Sequence, residues 1–184
     1  MKSAVATQEI AAPYAQALMS VAQSKNLTED FGEDARGLVG LLSESEQLRT
    51  FFDNPFIESD KKKAVIKSVL GEGSNSYLQN FMMLLVDRKR IYLLDAICKQ
   101  YLSLLRQLNQ TVLAEVISAV PLSEEQERVV KERVITMTNA REVELDKKTD
   151  SNLIGGVIIK VGSQVIDASL RGQLRRLSLR LAGS

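Results

Sequence analysis

Along the N-terminal part of the chain, apolar residues recur every three or four positions, and short polar breaks separate these segments. That spacing matches the period of an α-helix and places the apolar side chains on one face. The pattern predicts six helices: five near residues 9–24, 28–42, 60–70, 76–88 and 93–108, and a short third helix that Asn54-Pro55 ends. Six helices joined by short connections are typical of a compact helical bundle.

The pattern changes after Asn109, where residues 111–120 alternate and are rich in β-branched side chains, which predicts a strand. A capping box at Ser123-Glu124-Glu125-Gln126 predicts the start of a helix, and residues 142–145 form a second predicted strand. We therefore expect a mainly α protein of two domains. A six-helix bundle spans residues 1–108, and a small α/β domain with a C-terminal hairpin and helix spans residues 109–184.

A β-hairpin is predicted within residues 157–168, where a run rich in β-branched residues precedes Gly162-Ser163 and a second short run follows. The glycine suits a two-residue type II′ turn, because it tolerates positive φ. This turn pairs Ile159 with Ile166 and gathers most apolar residues of the two strands on one face. A slip by one residue would exchange the faces, so the register should be firm.

The last predicted helix follows the hairpin, and either Asp167 or Ser169 can cap it. Its apolar stripe consists of Leu170, Leu174, Leu177 and Leu181. We expect this stripe to cover the apolar face of the hairpin. The other side carries Arg171, Arg175, Arg176 and Arg180, with no acidic residue from Leu170 onward. A face of this kind is either a solvated surface or a contact for an acidic partner.

The composition limits the chemistry that the chain can perform. It has no histidine, so the commonest general base and the commonest nitrogen ligand for metals are missing. The single cysteine, Cys98, lies on an apolar helix and is expected to be a core residue. The glycines within residues 155–162 match neither a dinucleotide-binding motif nor a phosphate loop. We therefore expect no catalytic site, no metal site and no cofactor.

Charge and hydropathy narrow the class further. The net charge of +1 argues against a protein that binds nucleic acid mainly by electrostatics. The longest apolar run, residues 81–86, is far shorter than the ~18–20 residues of a membrane span. Residues 1–5 lack the apolar core of a signal peptide. These features predict a location in the cytosol or on the cytosolic face of a membrane.

Ordered strings of residues resemble the delta subunit of F-type ATP synthases, the family that includes the mitochondrial oligomycin sensitivity-conferring protein. The longest string combines Gly155-Gly156-Val157, an aliphatic strand that ends in a basic residue, Val165-Ile166-Asp167-x-Ser169 and x-Arg171-Gly172-x-Leu174-x-x-Leu177. Two others are Ala12-Pro13-Tyr14-Ala15-x-Ala17-Leu18 in the first predicted helix and Asn80-x-x-x-Leu84-x-x-Asp87-x-Lys89-Arg90 in the fifth. The resemblance spans nearly the whole chain, although the second to fourth helices carry no motif of the family.

The resemblance implies a non-catalytic stator subunit that links the catalytic alpha/beta head to the peripheral stalk, so that proton-driven rotation is coupled to ATP synthesis. It implies a groove between the first and fifth helices that binds an N-terminal helix of an alpha subunit. The matching positions are Tyr14, Ala17, Leu18, Asn80, Phe81 and Leu84. The C-terminal domain would contact the b-type stalk subunits, and we expect Arg171, Arg175, Arg176 and Arg180 to take part.

The family also implies a protein that is peripheral to a plasma or thylakoid membrane, on its cytoplasmic or stromal face, with no small-molecule substrate. The rival hypothesis is a small helical RNA-binding module that uses Arg88-Lys89-Arg90 and the C-terminal arginines. The small net charge and the lack of a basic patch interleaved with aromatic residues argue against it. An enzyme based on carboxylates has no motif in its favour.

Overall fold

The computed structural model describes residues 4–71 and 75–182, and in that part of the chain it contains eight α-helices and one four-stranded sheet. The helices are α1 (Ala4–Lys25), α2 (Thr28–Glu44), α3 (Glu46–Asp53), α4 (Ser59–Leu70), α5 (Ser76–Asp87), α6 (Leu94–Leu108), α7 (Glu124–Thr138) and α8 (Leu170–Ala182). The strands are β1 (Thr111–Ser118), β2 (Glu142–Thr149), β3 (Val157–Val161) and β4 (Gln164–Asp167). None of the helices in the described residues is long and apolar enough to cross a membrane.

The chain divides into two compact units between Leu105 and Arg106, near the end of α6. We call the part up to Leu105 unit 1 and the part from Arg106 unit 2. The fold is therefore mainly helical with one small sheet, as the sequence predicts. That each part folds alone as a domain, with limits at residues 1–108 and 109–184, stays a prediction.

Unit 1 has an aliphatic core to which every helix from α1 to α6 contributes. Phe31 of α2 and Tyr101 of α6 are among its largest fully buried side chains. The Tyr101 hydroxyl donates a hydrogen bond to the Thr28 carbonyl oxygen at 2.9 Å, so the phenol is buried with a partner. Burial, with a smaller contribution from Glu29, raises the pKa of Tyr101 to about 12. The hydroxyl therefore stays protonated and keeps donating.

Unit 2 is built on a sheet with the strand order β2-β1-β3-β4. Strands β1 and β2 are parallel, so the chain must cross over between them, and α7 forms that crossover. β3 pairs antiparallel with both β1 and β4. The predicted capping box of α7 is confirmed: Ser123 Oγ accepts the Gln126 N–H, and the Gln126 side chain accepts the Ser123 N–H. β2 continues to Thr149, past its predicted end, because its polar half still pairs with β1.

The register of the hairpin agrees with the prediction. Ile159 faces Ile166, and Val161 faces Gln164. Gly162 has a φ of +57°, whereas φ at the following residue, Ser163, is not positive. Positive φ at the first turn position alone is what a type II′ turn requires. The glycine therefore sits where an L-residue with a side chain would be strained.

The apolar face of the hairpin is buried, but α7 covers it, and the prediction that α8 would do so is wrong. Ile159 of β3 shares a core with Val116 of β1 and with Val130 and Val134 of α7. Because α7 connects two parallel strands, the crossover carries it directly over one face of the sheet. Leu170 and Leu174 of the predicted stripe are exposed instead, while the side chains of Leu177 and Leu181 lie outside the described part of the structure.

The first turn of α8 rests against the end of β4. Ser169 caps the helix, since its Oγ accepts the Gly172 N–H at 3.1 Å. The Gly172 side of the helix lies so close to the Asp167 carboxylate that no Cβ would fit between them. Because Gly172 faces the end of the strand, Leu170 and Leu174 lie on the opposite side and are exposed.

Candidate protein-binding sites

Helix α1 presents two apolar faces, one to the core of unit 1 and one to the outside. The inner face is lined by Ala11, Ala15, Leu18 and Ala22. The small side chains of its alanines allow neighbouring helices to approach closely, so this face needs few bulky residues. The outer face carries Ile10, Tyr14, Ala17 and Val21, which recur at helical spacing and are half-buried or exposed. The core of unit 1 therefore leaves an apolar stripe of α1 uncovered.

Helix α5 packs against α1 and repeats this arrangement. Its inner face is lined by Leu78, Met82, Leu85 and Val86. Its outer face carries Tyr77, Asn80, Phe81 and Leu84, which are half-buried or exposed; Leu84 is 46% exposed. The ammonium of Lys25 lies 5.4 Å from the centre of the Tyr77 ring, a cation–π contact between the end of α1 and the start of α5. This contact places the two outer faces on one side of unit 1.

We call these two outer faces together the α1/α5 surface. Five of the six alpha-binding positions that the resemblance implies lie on it, and the exception is Leu18, which is 4% exposed and belongs to the core. Three further members, Ile10, Val21 and Tyr77, were not among the predicted site residues. Each stands four positions from a predicted one, and this spacing is the signal that could have found them.

The arginines of α8 have different roles. Arg171, Arg175 and Arg176 are exposed, but Arg176 Nη2 donates a hydrogen bond to the Asp167 carbonyl oxygen at 3.1 Å. Arg176 therefore helps to attach α8 to the end of β4. The side chain of Arg180 lies outside the described part of the structure. Of the predicted stalk contacts, Arg171 and Arg175 are exposed and take no part in that hydrogen bond.

The Asp167 carboxylate, at the end of β4, accepts hydrogen bonds from the residue that caps α8. Its Oδ1 accepts the Ser169 N–H at 2.9 Å and the Ser169 hydroxyl at 2.5 Å. These hydrogen bonds, with a smaller contribution from Arg176, hold the pKa of Asp167 below its ordinary value of 3.8. The carboxylate is therefore ionised at neutral pH and orients the capping serine. This role is structural and accounts for the Asp167-x-Ser169 pair of the sequence string.

The single thiol is a core group. Cys98 is buried on α6, and burial raises its pKa to about 12, with Asp95 adding to the shift. A nucleophilic or metal-binding cysteine needs its thiolate form near neutral pH, which this environment disfavours. Across residues 4–71 and 75–182, no group of three or more His, Cys, Asp or Glu side chains is arranged to hold a metal ion.

Comparison with known proteins gives a consistent result. The family model described as ATP synthase delta (OSCP) subunit matches residues 10–181. The ATP synthase subunit delta of Nostoc punctiforme is 67% identical to this chain, and that of Trichormus variabilis is 65% identical, each over the full length of both proteins. A chain in the solved structure of the Toxoplasma gondii mitochondrial ATP synthase hexamer matches with a TM-score of 0.71, over 94% of this chain and 97% of that chain. At 23% identity, this last likeness shows a shared fold.

These relatives define a class, the structural subunits of the stator, or peripheral stalk, of F-type ATP synthases. Within that class, this chain belongs to the ATP synthase delta (OSCP) subunit family. Delta subunits are peripheral to the membrane-embedded part of the complex. The relatives give no support to the RNA-binding alternative.

Proposed function

We propose that this chain joins the catalytic alpha/beta head of an F-type ATP synthase to its peripheral stalk, with unit 1 bound to the head and unit 2 bound to the stalk. The chain catalyses no reaction itself. It resists the torque of the rotor, so that the head does not turn with it and rotation remains coupled to ATP synthesis. The observation that carries this proposal is the α1/α5 surface.

The α1/α5 surface fits an amphipathic helix. Two adjacent helices present apolar side chains on the same side, so a third helix can lie along them and bury its own apolar face. Tyr14, Phe81 and Leu84 supply large contact groups, while the small side chain of Ala17 lets a partner helix approach closely. The family resemblance points to an N-terminal helix of an alpha subunit as the occupant.

The affinity that such a joint needs is within reach of this surface. A contact with a Kd of about 1 nM corresponds to ~12 kcal/mol. Each large apolar side chain that becomes fully buried contributes about 1.5–3 kcal/mol. Because head and stalk belong to one assembly, binding at one site raises the effective concentration at the other. Moderate contacts at each site therefore give a durable joint.

We place the protein on the cytoplasmic or stromal face of an energy-transducing membrane, bound to the b-type subunits of the stalk through unit 2. The cyanobacterial relatives favour a thylakoid membrane. The candidate stalk contacts on unit 2 are the exposed arginines of α8, Arg171 and Arg175. Their positive charge suits acidic residues of a partner helix.

The head contact can be tested by calorimetry with a synthetic peptide that covers the N-terminal helix of an alpha subunit of the same ATP synthase. Ala17→Asp and Leu84→Asp each place a charge at an exposed position of the α1/α5 surface, so the fold should be retained. Each should raise the Kd about 30-fold, which corresponds to the ~2 kcal/mol of a binding hot spot.

Gln16→Asp is the matched control, because Gln16 is exposed on the opposite side of α1. Its Kd should stay within about twofold of the wild-type value, as expected for a residue outside the contact. Equal affinities of the wild type and both surface variants would remove the α1/α5 surface from the binding site. A wild-type chain that does not bind the peptide would contradict the proposal that unit 1 holds the head.

A further inference from the structure

Unit 2 carries an apolar groove that its own core leaves open. The groove has a volume of about 270 Å³ and is lined by Leu122, Glu125, Gln126, Val129, Val130 and Val157. Val129 of α7 is 55% exposed and shares the groove with three other apolar residues, Leu122, Val130 and Val157. Val120, in the loop after β1, is exposed as well. The start of α7, this loop and the start of β3 thus form an uncovered apolar surface.

This groove continues toward α8 by way of the chain before β3. Val157 is part of the groove, and its carbonyl oxygen accepts the Ala168 N–H at 2.9 Å. Two residues upstream, the Gly155 carbonyl oxygen accepts the Leu170 N–H at 3.0 Å, and a Cβ at Gly155 would touch the Leu170 side chain. Since extended chain rises ~3.3 Å per residue, Leu170 lies close to the Val157 end of the groove.

Beyond Leu170 the surface remains apolar. Ile154, next to Gly155, is 68% exposed, and Leu174, one turn further along α8, is 59% exposed. We call these residues together the unit-2 strip; its members are Val120, Leu122, Val129, Ile154, Val157, Leu170 and Leu174. Five of these seven side chains are exposed, and Leu122 and Val157 are half-buried. Exposed apolar side chains that gather on one surface mark a site of interaction with another molecule.

The charges beside the strip indicate the chemistry of its occupant. At the α7 end, Glu125 is paired with Arg128 at 2.6 Å and Glu127 with Lys147 at 2.6 Å, so most of the charge there is balanced within unit 2. At the α8 end, Arg171 and Arg175 are exposed, each directly after a leucine of the strip, on a helix that has no acidic residue. A complementary partner therefore has apolar side chains along one face and acidic residues where it crosses α8.

We propose that the unit-2 strip is the docking site of an amphipathic helix of the peripheral stalk, with acidic residues of that helix lying over Arg171 and Arg175. This inference rests on the proposed function, because it names the surface that unit 2 offers to the stalk. The strip supplies the buried apolar area and so slows dissociation. The arginines accelerate association and orient the helix.

The test uses the full-length chain and a soluble fragment that contains the membrane-distal ends of the b-type stalk subunits of the same ATP synthase. Val129→Asp, Ile154→Asp and Leu174→Asp each place a charge at an exposed position of the strip, and each should raise the Kd at least about tenfold. The matched control is Val165→Asp. Val165 is similarly exposed, but it alternates with the core residue Ile166 and so lies on the opposite face of the sheet.

The control variant should bind the stalk fragment with a Kd within about twofold of the wild-type value. Circular dichroism and thermal melting should show that all four variants are folded, because each site is exposed. Arg171→Glu combined with Arg175→Glu tests the charge: association at low salt should be slower by about tenfold and depend less on salt. Lysine at both positions keeps the charge and should preserve most of the wild-type rate.

The outcomes separate the strip from the proposed function. A wild-type chain that does not bind the stalk fragment would contradict the stalk-binding role of unit 2 itself. Binding that is unchanged in the three strip variants, or weakened by Val165→Asp instead, would overturn the strip alone. Sedimentation adds one more outcome: if the wild type dimerises and the strip variants are monomers with unchanged stalk affinity, the strip joins two copies of the chain and the inference is wrong.

Discussion

Replacing Gly172 by alanine should destabilise the protein, although alanine is normally the better residue inside a helix. At an open helix position, this substitution stabilises by ~1 kcal/mol. At Gly172, the added Cβ would overlap both carboxylate oxygens of Asp167, so that carboxylate must move away. Moving it breaks the hydrogen bonds that Asp167 accepts from the backbone and hydroxyl of Ser169.

The cost of that movement falls on Ser169, which is almost fully buried. A buried hydroxyl that loses its acceptor costs ~1–3 kcal/mol, and a weakened N-cap adds ~1 kcal/mol. After the ~1 kcal/mol gain from alanine is subtracted, a net loss of about 1–3 kcal/mol remains. For a unit of this size, each kcal/mol corresponds to roughly 4–8 °C in Tm.

Making the same substitution in an Asp167→Ala variant tests the steric argument directly. In an Asp167→Ala chain the obstacle is gone, so Gly172→Ala should now stabilise by up to ~1 kcal/mol. The substitution therefore changes the sign of its effect with the residue at position 167, which is a direct measure of coupling between the two sites. Guanidinium unfolding of the full chain gives the free energies, and hydrogen exchange of the β3 and β4 amides assigns the change to unit 2.

Gly37→Ala provides the matched control, because Gly37 is an interior glycine of α2 whose added Cβ meets no atom within 4 Å. It should stabilise the chain by ~1 kcal/mol. If Gly172→Ala stabilises the wild-type chain as Gly37→Ala does, the steric argument is wrong. The same conclusion holds if the effect of Gly172→Ala does not depend on Asp167.

Three further predictions test other parts of the molecule. Residues 1–108 expressed alone should give a helical circular dichroism spectrum and one cooperative melting transition, and a disordered spectrum would contradict the domain limits. The Cys98 thiol should react with a thiol reagent at pH 8 far more slowly in the native chain than in denaturant, because burial raises its pKa to about 12; equal rates would show that it is accessible. The hydrogen bond that Lys160 donates is the main cause that lowers the pKa of Glu115 below its ordinary value of 4.5. The ionised Glu115 therefore stabilises the fold fully above pH 4.5, and this stabilisation is lost as the pH falls through the lowered pKa. Glu115→Gln should remove this part of the pH dependence of Tm, and an unchanged profile would count against the ion pair.

Several local features could be predicted from the sequence because they depend on residues that are neighbours in the chain. The turn at Gly162, the pairing of Ile159 with Ile166 and the capping box that starts at Ser123 all agree with the structure. In each case a backbone preference or a hydrogen bond between residues a few positions apart decides the geometry. For the N-cap of α8 the sequence leaves two candidates, Asp167 and Ser169. In the structure Ser169 is the cap, and Asp167 orients the Ser169 hydroxyl.

Helix α1 shows where periodicity stops being informative. Its apolar residues cover so much of its circumference that a helical period alone does not tell which stripe faces the core. The structure buries Ala11 and Ala15 and leaves the larger Ile10 and Tyr14 on the outside or half-buried. Close contact between helices favours the small side chains inside, and it thereby creates the outer surface to which we assign the head contact.

The sequence by itself determined which elements form, their order and the geometry of the turns and caps. Only the tertiary structure decided which apolar face each helix buries. In unit 2, two helices were able to cover the same face of the sheet, and the crossover between the parallel strands β1 and β2 assigns that face to α7. Helix α8 therefore keeps Leu170 and Leu174 exposed. The interior can hold only some of the apolar faces that the sequence offers. Contacts between residues far apart in the chain decide which faces are buried, so a local pattern cannot predict the result.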